Sequence, residues 1–137
     1  HDLASARTLS IRQCIGQFFS AFPMDKIVEG LARVEINAPS GLKAESRLLL
    51  AWIKSALSDC SDRVEGSELK AEFVCDEGLE TRILFSYDCE SFVECSLDLE
   101  GGVAQISAKI GGDTHSMTAA IRLLGPQEAL AEALFFG

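Results

Sequence analysis

The chain has 137 residues, 47% of them hydrophobic and 24% charged, with 12 Lys/Arg against 21 Asp/Glu for a net charge of −9. That balance excludes a disordered chain, and its longest strictly apolar run, residues 48–53, is far below the roughly 20 residues a membrane span needs. Residues 1–63 hold 8 Lys/Arg and 7 Asp/Glu, whereas residues 64–137 hold 4 and 14, so the second half repels nucleic-acid phosphate.

Taken in chain order, Ile11, Ile15, Phe18, Phe19 and Phe22 recur at helical spacing and predict a first helix over 3–22. Pro23 ends it, and a short second helix is expected from Asp25. Residues 33–37 alternate as a brief strand. After the turn at 38–41, Leu42, Leu49, Leu50, Ile53 and Leu57 predict a helix over 42–59, with Ser40 as its N-cap. Four strands follow: 69–75, 81–87, one holding Val93, Cys95, Leu97 and Leu99, and one holding Ala104, Ile106, Ala108 and Ile110. Asp76-Glu77-Gly78 is read as the turn after the first of them, and Gly101-Gly102 as a two-residue hairpin. Met117, Ile121 and Leu124 predict a helix after the loop 111–116, and Pro126 opens another. The expected fold is α+β: two layers, with helices packed on one face of a mainly antiparallel sheet of four or five strands. It forms a single domain over 1–137, with N-terminal helices (1–32), a strand–helix–meander sheet (33–110) and C-terminal helices (111–137).

Chemistry-bearing residues are sparse. The five cysteines are odd in number and no pair has the spacing of a zinc or redox motif, so reduced thiols and an intracellular, cytoplasmic location are expected. No metal set and no cofactor motif is found. The two histidines are His1 and His115, and a Cys–His nucleophilic pair would have to join His115 to a distant cysteine such as Cys89. Gly111, Gly112, Thr114 and His115 form a candidate anion loop if a helix follows them, although Asp113 or Thr114 would cap that helix equally well. Asp88 and Glu90 read as solvated turn residues.

The order of strand 33–37, helix 42–59 and strands 69–75 and 81–87 resembles the ATP-binding domain of histidine kinases and its degenerate relatives in bacterial histidine phosphotransferases. Leu49-Leu50-Ala51-Trp52-Ile53-Lys54-Ser55-Ala56-Leu57 is similar to that family's asparagine-bearing helix in hydrophobic pattern, with Ser55 at the place of the magnesium-binding asparagine. Asp88-Cys89-Glu90 stands where the Asp-x-Gly-x-Gly box is sought, and no glycine-rich lid appears. His1-Asp2-Leu3 resembles the phosphoacceptor tripeptide. The resemblance implies a member that has lost nucleotide binding and acts on response regulators.

The reading from the residues themselves is a non-enzymatic protein–protein interaction domain of a larger protein. Its expected docking surfaces are an acidic sheet face at Glu68, Glu72, Glu94 and Asp98, with Lys70 among them, and an apolar end at Leu134, Phe135 and Phe136. A protein partner with a basic surface is implied, with no nucleic acid and no membrane, and the oligomeric state is left open. A small-molecule site between helices and sheet is the weaker alternative. No signal peptide is expected from the opening residues, and the sequence reads as an excised domain or as one whose last helix docks on something.

Overall fold

The computed structural model describes residues 8–122 together with Leu130, Ala131 and Leu134. The elements run α1 (Leu9–Phe19), α2 (Met24–Val28), β1 (Leu31–Ala38), a 3₁₀ turn (Ser40–Leu42), α3 (Lys43–Asp62), β2 (Glu72–Glu77), β3 (Thr81–Tyr87), β4 (Phe92–Asp98), β5 (Val103–Ile110) and β6 (Asp113–Ala120). The strands form one six-stranded sheet in the order β2-β1-β3-β4-β5-β6. Only β1 and β2 are parallel, because α3 carries the chain from one to the other; every other pair is antiparallel. The α+β class is as expected, and the sheet is mixed and one strand larger than the upper expectation.

Apolar spacing explains the helices. Ile11, Ile15 and Phe18 turn one face of α1 into the core, and Leu49, Ile53 and Leu57 do the same for α3. Beneath them, one side of the sheet supplies Val34, Ile36, Ile83, Phe85, Val93, Cys95, Ala104 and Ile106, all essentially without solvent contact. The register aligns Val34, Phe85, Val93 and Ala108 across four strands, so a one-residue slip anywhere would turn this set to water. Phe85 packs edge-on against Phe19 at 5.0 Å between ring centroids. The Tyr87 hydroxyl donates to the Ile27 carbonyl oxygen at 2.6 Å, tying α2 to the sheet.

Several boundaries differ from the sequence expectation. Within the described residues the first helix ends at Phe19, and the Ser20 hydroxyl donates to the Gln17 carbonyl three residues back. Ser40 does not cap α3: the 3₁₀ turn intervenes and no side chain bonds the helix start. β2 begins at Glu72 and absorbs Asp76 and Glu77, which the sequence assigns to a turn. Gly101-Gly102 is part of a four-residue loop between Asp98 and Val103, where the Gly101 N–H donates to Asp98 Oδ1 at 2.8 Å.

The largest correction lies after Ile110. Gly111 and Gly112 have φ of +62° and +88°, and Ile110 pairs with Asp113. This is a two-residue type I′ hairpin, which requires positive φ at both central residues. Residues 113–120 are therefore strand β6, not the start of C-terminal helices. The expected helix containing Met117 is absent there; Leu124 and the expected helix at Pro126 lie outside the described residues, although Leu130, Ala131 and Leu134 are helical.

Candidate functional site

α1, α2 and α3 lie on one face of the sheet, and the residues of the other face are exposed or half-exposed. Its rows follow from the register: Glu72, Arg33, Ser86, Phe92, Lys109 and Thr114 in one, and Val74, Glu35, Leu84, Glu94, Ser107 and Ser116 in the next. This face is less acidic than the sequence implies, because its carboxylates meet cations. Arg33 lies 3.1 Å from Glu35 and 3.3 Å from Glu72, and Arg82 lies 3.4 Å from Glu94. The hydrogen bond from Arg33 holds the Glu35 carboxyl below the usual carboxylate range. Glu68 sits in the loop before β2, 3.6 Å from Lys70, and so does not belong to the sheet. Of the four expected binding carboxylates, the structure brings Glu72, Glu94 and Asp98 to the open face, and the first two are in ion pairs.

Uncompensated acid gathers instead at one end of the sheet. The β2–β3 and β4–β5 loops share an open depression of about 780 Å³ lined by residues including Leu79, Glu80, Asp98, Leu99 and Glu100. Leu79 is 98% exposed. Among the described residues, none of Glu80, Asp98 and Glu100 is within ion-pairing distance of a cation. Sequence reasoning missed Glu80 and Glu100 because two loops distant in the chain meet only through the sheet register Thr81–Leu97.

On the helix side, α1 and α3 are set apart over the sheet and leave an apolar cleft of about 320 Å³ between them. Phe19 and Phe22 form one wall and Trp52, Ala56 and Cys60 the other, with Phe85 beneath. The spacing 52, 56, 60 marks one helix stripe, which the sequence shows only as a widening of the apolar face of α3.

The remaining candidates are dispersed. Gly111, Gly112, Thr114 and His115 do not form an anion loop, since a strand follows the turn and supplies no free helix N–H groups. His115 is half-buried with its ring edge-on to Phe22 at 4.9 Å, while Cys89 lies in the β3–β4 turn, two strands distant. Hydrogen bonding from Ser91 holds the exposed Cys89 thiol below its ordinary range. Burial pushes Cys95 up to about 12 and raises Cys14 as well. All five cysteines are free. Among the described residues no group of three His, Cys, Asp or Glu is placed to hold a metal ion. No described helix is long and apolar enough to cross a membrane.

Ser55, at the place of the kinase family's asparagine, is exposed on α3, and Asp88-Cys89-Glu90 forms a tight turn between paired strands. His1, Phe135 and Phe136 lie outside the described residues; Leu130 and Leu134 are 49% and 69% exposed. No protein-family model matches the chain, and the searches of curated proteins and of solved structures return no match either.

Proposed function

We propose that the chain is a non-enzymatic protein–protein interaction domain that receives a basic partner at the loop end of its sheet. The observation that carries this reading is Leu79, fully exposed on a rim with Glu80, Asp98 and Glu100, none of which has a cation within ion-pairing distance among the described residues. An exposed apolar residue ringed by like charge fits a partner that places an apolar side chain between Lys or Arg residues. Such a surface speeds encounter at low salt and loses partners as salt screens it. Five free thiols support a reducing, intracellular setting. The test is a cross-linked pull-down from the source cell with the wild-type chain and with Glu80→Lys/Glu100→Lys. Partners held at low salt should be lost both at high salt and in the charge-reversed chain. An unchanged partner set in that variant rejects the reading.

A second reading is favoured by the α1–α3 cleft. Its volume is at the lower end of small-molecule sites, and its lining is aromatic and aliphatic. Trp52 is the only tryptophan, so its emission reports occupancy directly. A saturable change in that emission with an apolar metabolite, accompanied by a raised melting temperature, supports it. The absence of both across a metabolite and nucleotide set removes it.

A further inference from the structure

The two edges of the sheet are not alike. β2 carries Glu72, Asp76 and Glu77, so a second strand approaching that edge in the same way meets three carboxylates. β6 carries only Asp113 at its first position, and between Val103 and Arg122 the charged residues are Lys109, Asp113 and Arg122. β6 is eight residues long, paired with β5 without a break in register, and holds no proline. Nothing among the described residues caps this edge.

The direction of its backbone follows from one hydrogen bond. The Ile121 N–H donates to the Gly102 carbonyl oxygen at 2.9 Å, so residues 102 and 121 form a bonded pair. Antiparallel pairing alternates bonded and non-bonded pairs. Residues 113, 115, 117 and 119 therefore bond β5, while Thr114, Ser116, Thr118 and Ala120 turn their N–H and C=O groups outward. The bonded pair 110/113 that a type I′ turn requires agrees with this assignment.

We propose that this edge pairs with β6 of a second copy of the chain, antiparallel about a two-fold axis at Met117. That register matches all four outward residues: Thr114 with Ala120 of the other copy, and Ser116 with Thr118. Each matched pair exchanges two bonds, giving roughly eight across the junction. Met117 faces its own copy on the helix side, and hydroxyls meet on the open side. The two Asp113 carboxylates end eight residues apart along the strand direction, roughly 27 Å, well beyond the screening length at physiological salt. α1, tied to this edge by the hydrogen bonds between Ser10 and Arg122, carries no carboxylate along its length. The occupant is a second copy rather than an arbitrary strand because this register matches outward residues to outward residues along the whole strand, and because Asp113 is the only carboxylate on β5 and β6 in a chain of net charge −9.

The test is sedimentation equilibrium on the full chain over a range of concentrations. A dimer is expected, and it should tighten between low salt and roughly 0.5 M salt as repulsion between two acidic chains is screened. This is the opposite sign to binding a basic partner, so the two proposals fail separately. Thr118→Pro removes an outward N–H and leaves the pairing with β5 intact, and Ser116→Lys places a charge on the edge. Each should weaken the dimer by about tenfold or more while circular dichroism stays native. Amide exchange at Thr114 and Ala120 should be slow in the dimer and fast in the variants. A wild-type chain that stays monomeric, or a dimer that persists in both folded variants, overturns the proposal.

Discussion

Tyr87→Phe isolates one contact, because the only atom removed is a buried hydroxyl oxygen and its proton. That hydroxyl donates to the Ile27 carbonyl at 2.6 Å and belongs to the only tyrosine in the chain. Deleting it forfeits a hydrogen bond and leaves a buried carbonyl unsatisfied, a loss of about 1–3 kcal/mol. For a domain of this size each kcal/mol shifts the melting temperature by about 3–4 °C, so a decrease of about 3–12 °C is expected. The same contact predicts a pH dependence. Burial raises the Tyr87 pKa above its ordinary value, which means the fold favours the neutral phenol. The stability it contributes is therefore complete below about pH 10 and is lost as pH rises above that value, where the unfolded chain releases the proton first. Phenolate absorbance reads Tyr87 alone. It should stay absent in the native protein above pH 10, rise together with loss of the circular dichroism signal, and titrate near pH 10 in denaturant. A native protein whose phenolate forms near pH 10 with its ellipticity unchanged refutes the buried contact.

Three further outcomes follow from the geometry. Gly112→Val forces a β-branched residue to φ near +88° and should cost about 1–2 kcal/mol, read by urea denaturation, whereas Gly111→Asn should cost much less. Arg82→Ala should change stability by less than about 1 kcal/mol, since its ion pair with Glu94 is half-exposed and screened; a larger loss in urea denaturation would mean the open face is covered. Thiol-exchange kinetics should show Cys89 reacting first, being exposed with a lowered pKa, while Cys95 and Cys14 react only on unfolding.

Much of the fold is legible in the sequence where one face of an element is apolar and the other wet. β3, β4 and β5 show it most clearly: Ile83, Phe85 and Tyr87, then Val93, Cys95 and Leu97, then Ala104, Ile106 and Ala108 are buried in turn. The helix stripe of α3 is equally plain. The parallel placement of β2 beside β1 is not readable from local pattern, because it depends on where the crossover helix lands. The charge of the expected acidic face is only partly legible for a related reason. Strand alternation puts Glu72 and Glu94 on the open side correctly, but neighbouring strands bring Arg33 and Arg82 against them. Unpaired acid then remains where the two loops meet, and sequence distance conceals that meeting.

β6 is the instructive failure. Asp113-Thr114-His115-Ser116-Met117-Thr118-Ala119-Ala120 lacks large aliphatics on its inner side because it is an edge strand, only half covered by α1. Met and Ala also favour helices, so propensity points the wrong way. Gly111-Gly112 was the available correction: two glycines between Ile110 and a polar alternating run match a type I′ hairpin more closely than Gly101-Gly102 does, since Leu99 and Glu100 precede the latter within the same loop. The qualities that hide the strand are small size, hydroxyl side chains and scarcity of charge. A central strand needs none of them, and a monomer's edge is better protected by lysines or a bulge. Their concentration on the edge whose single carboxylate, Asp113, stands at its first position gives β6 the chemistry expected of a strand that pairs again.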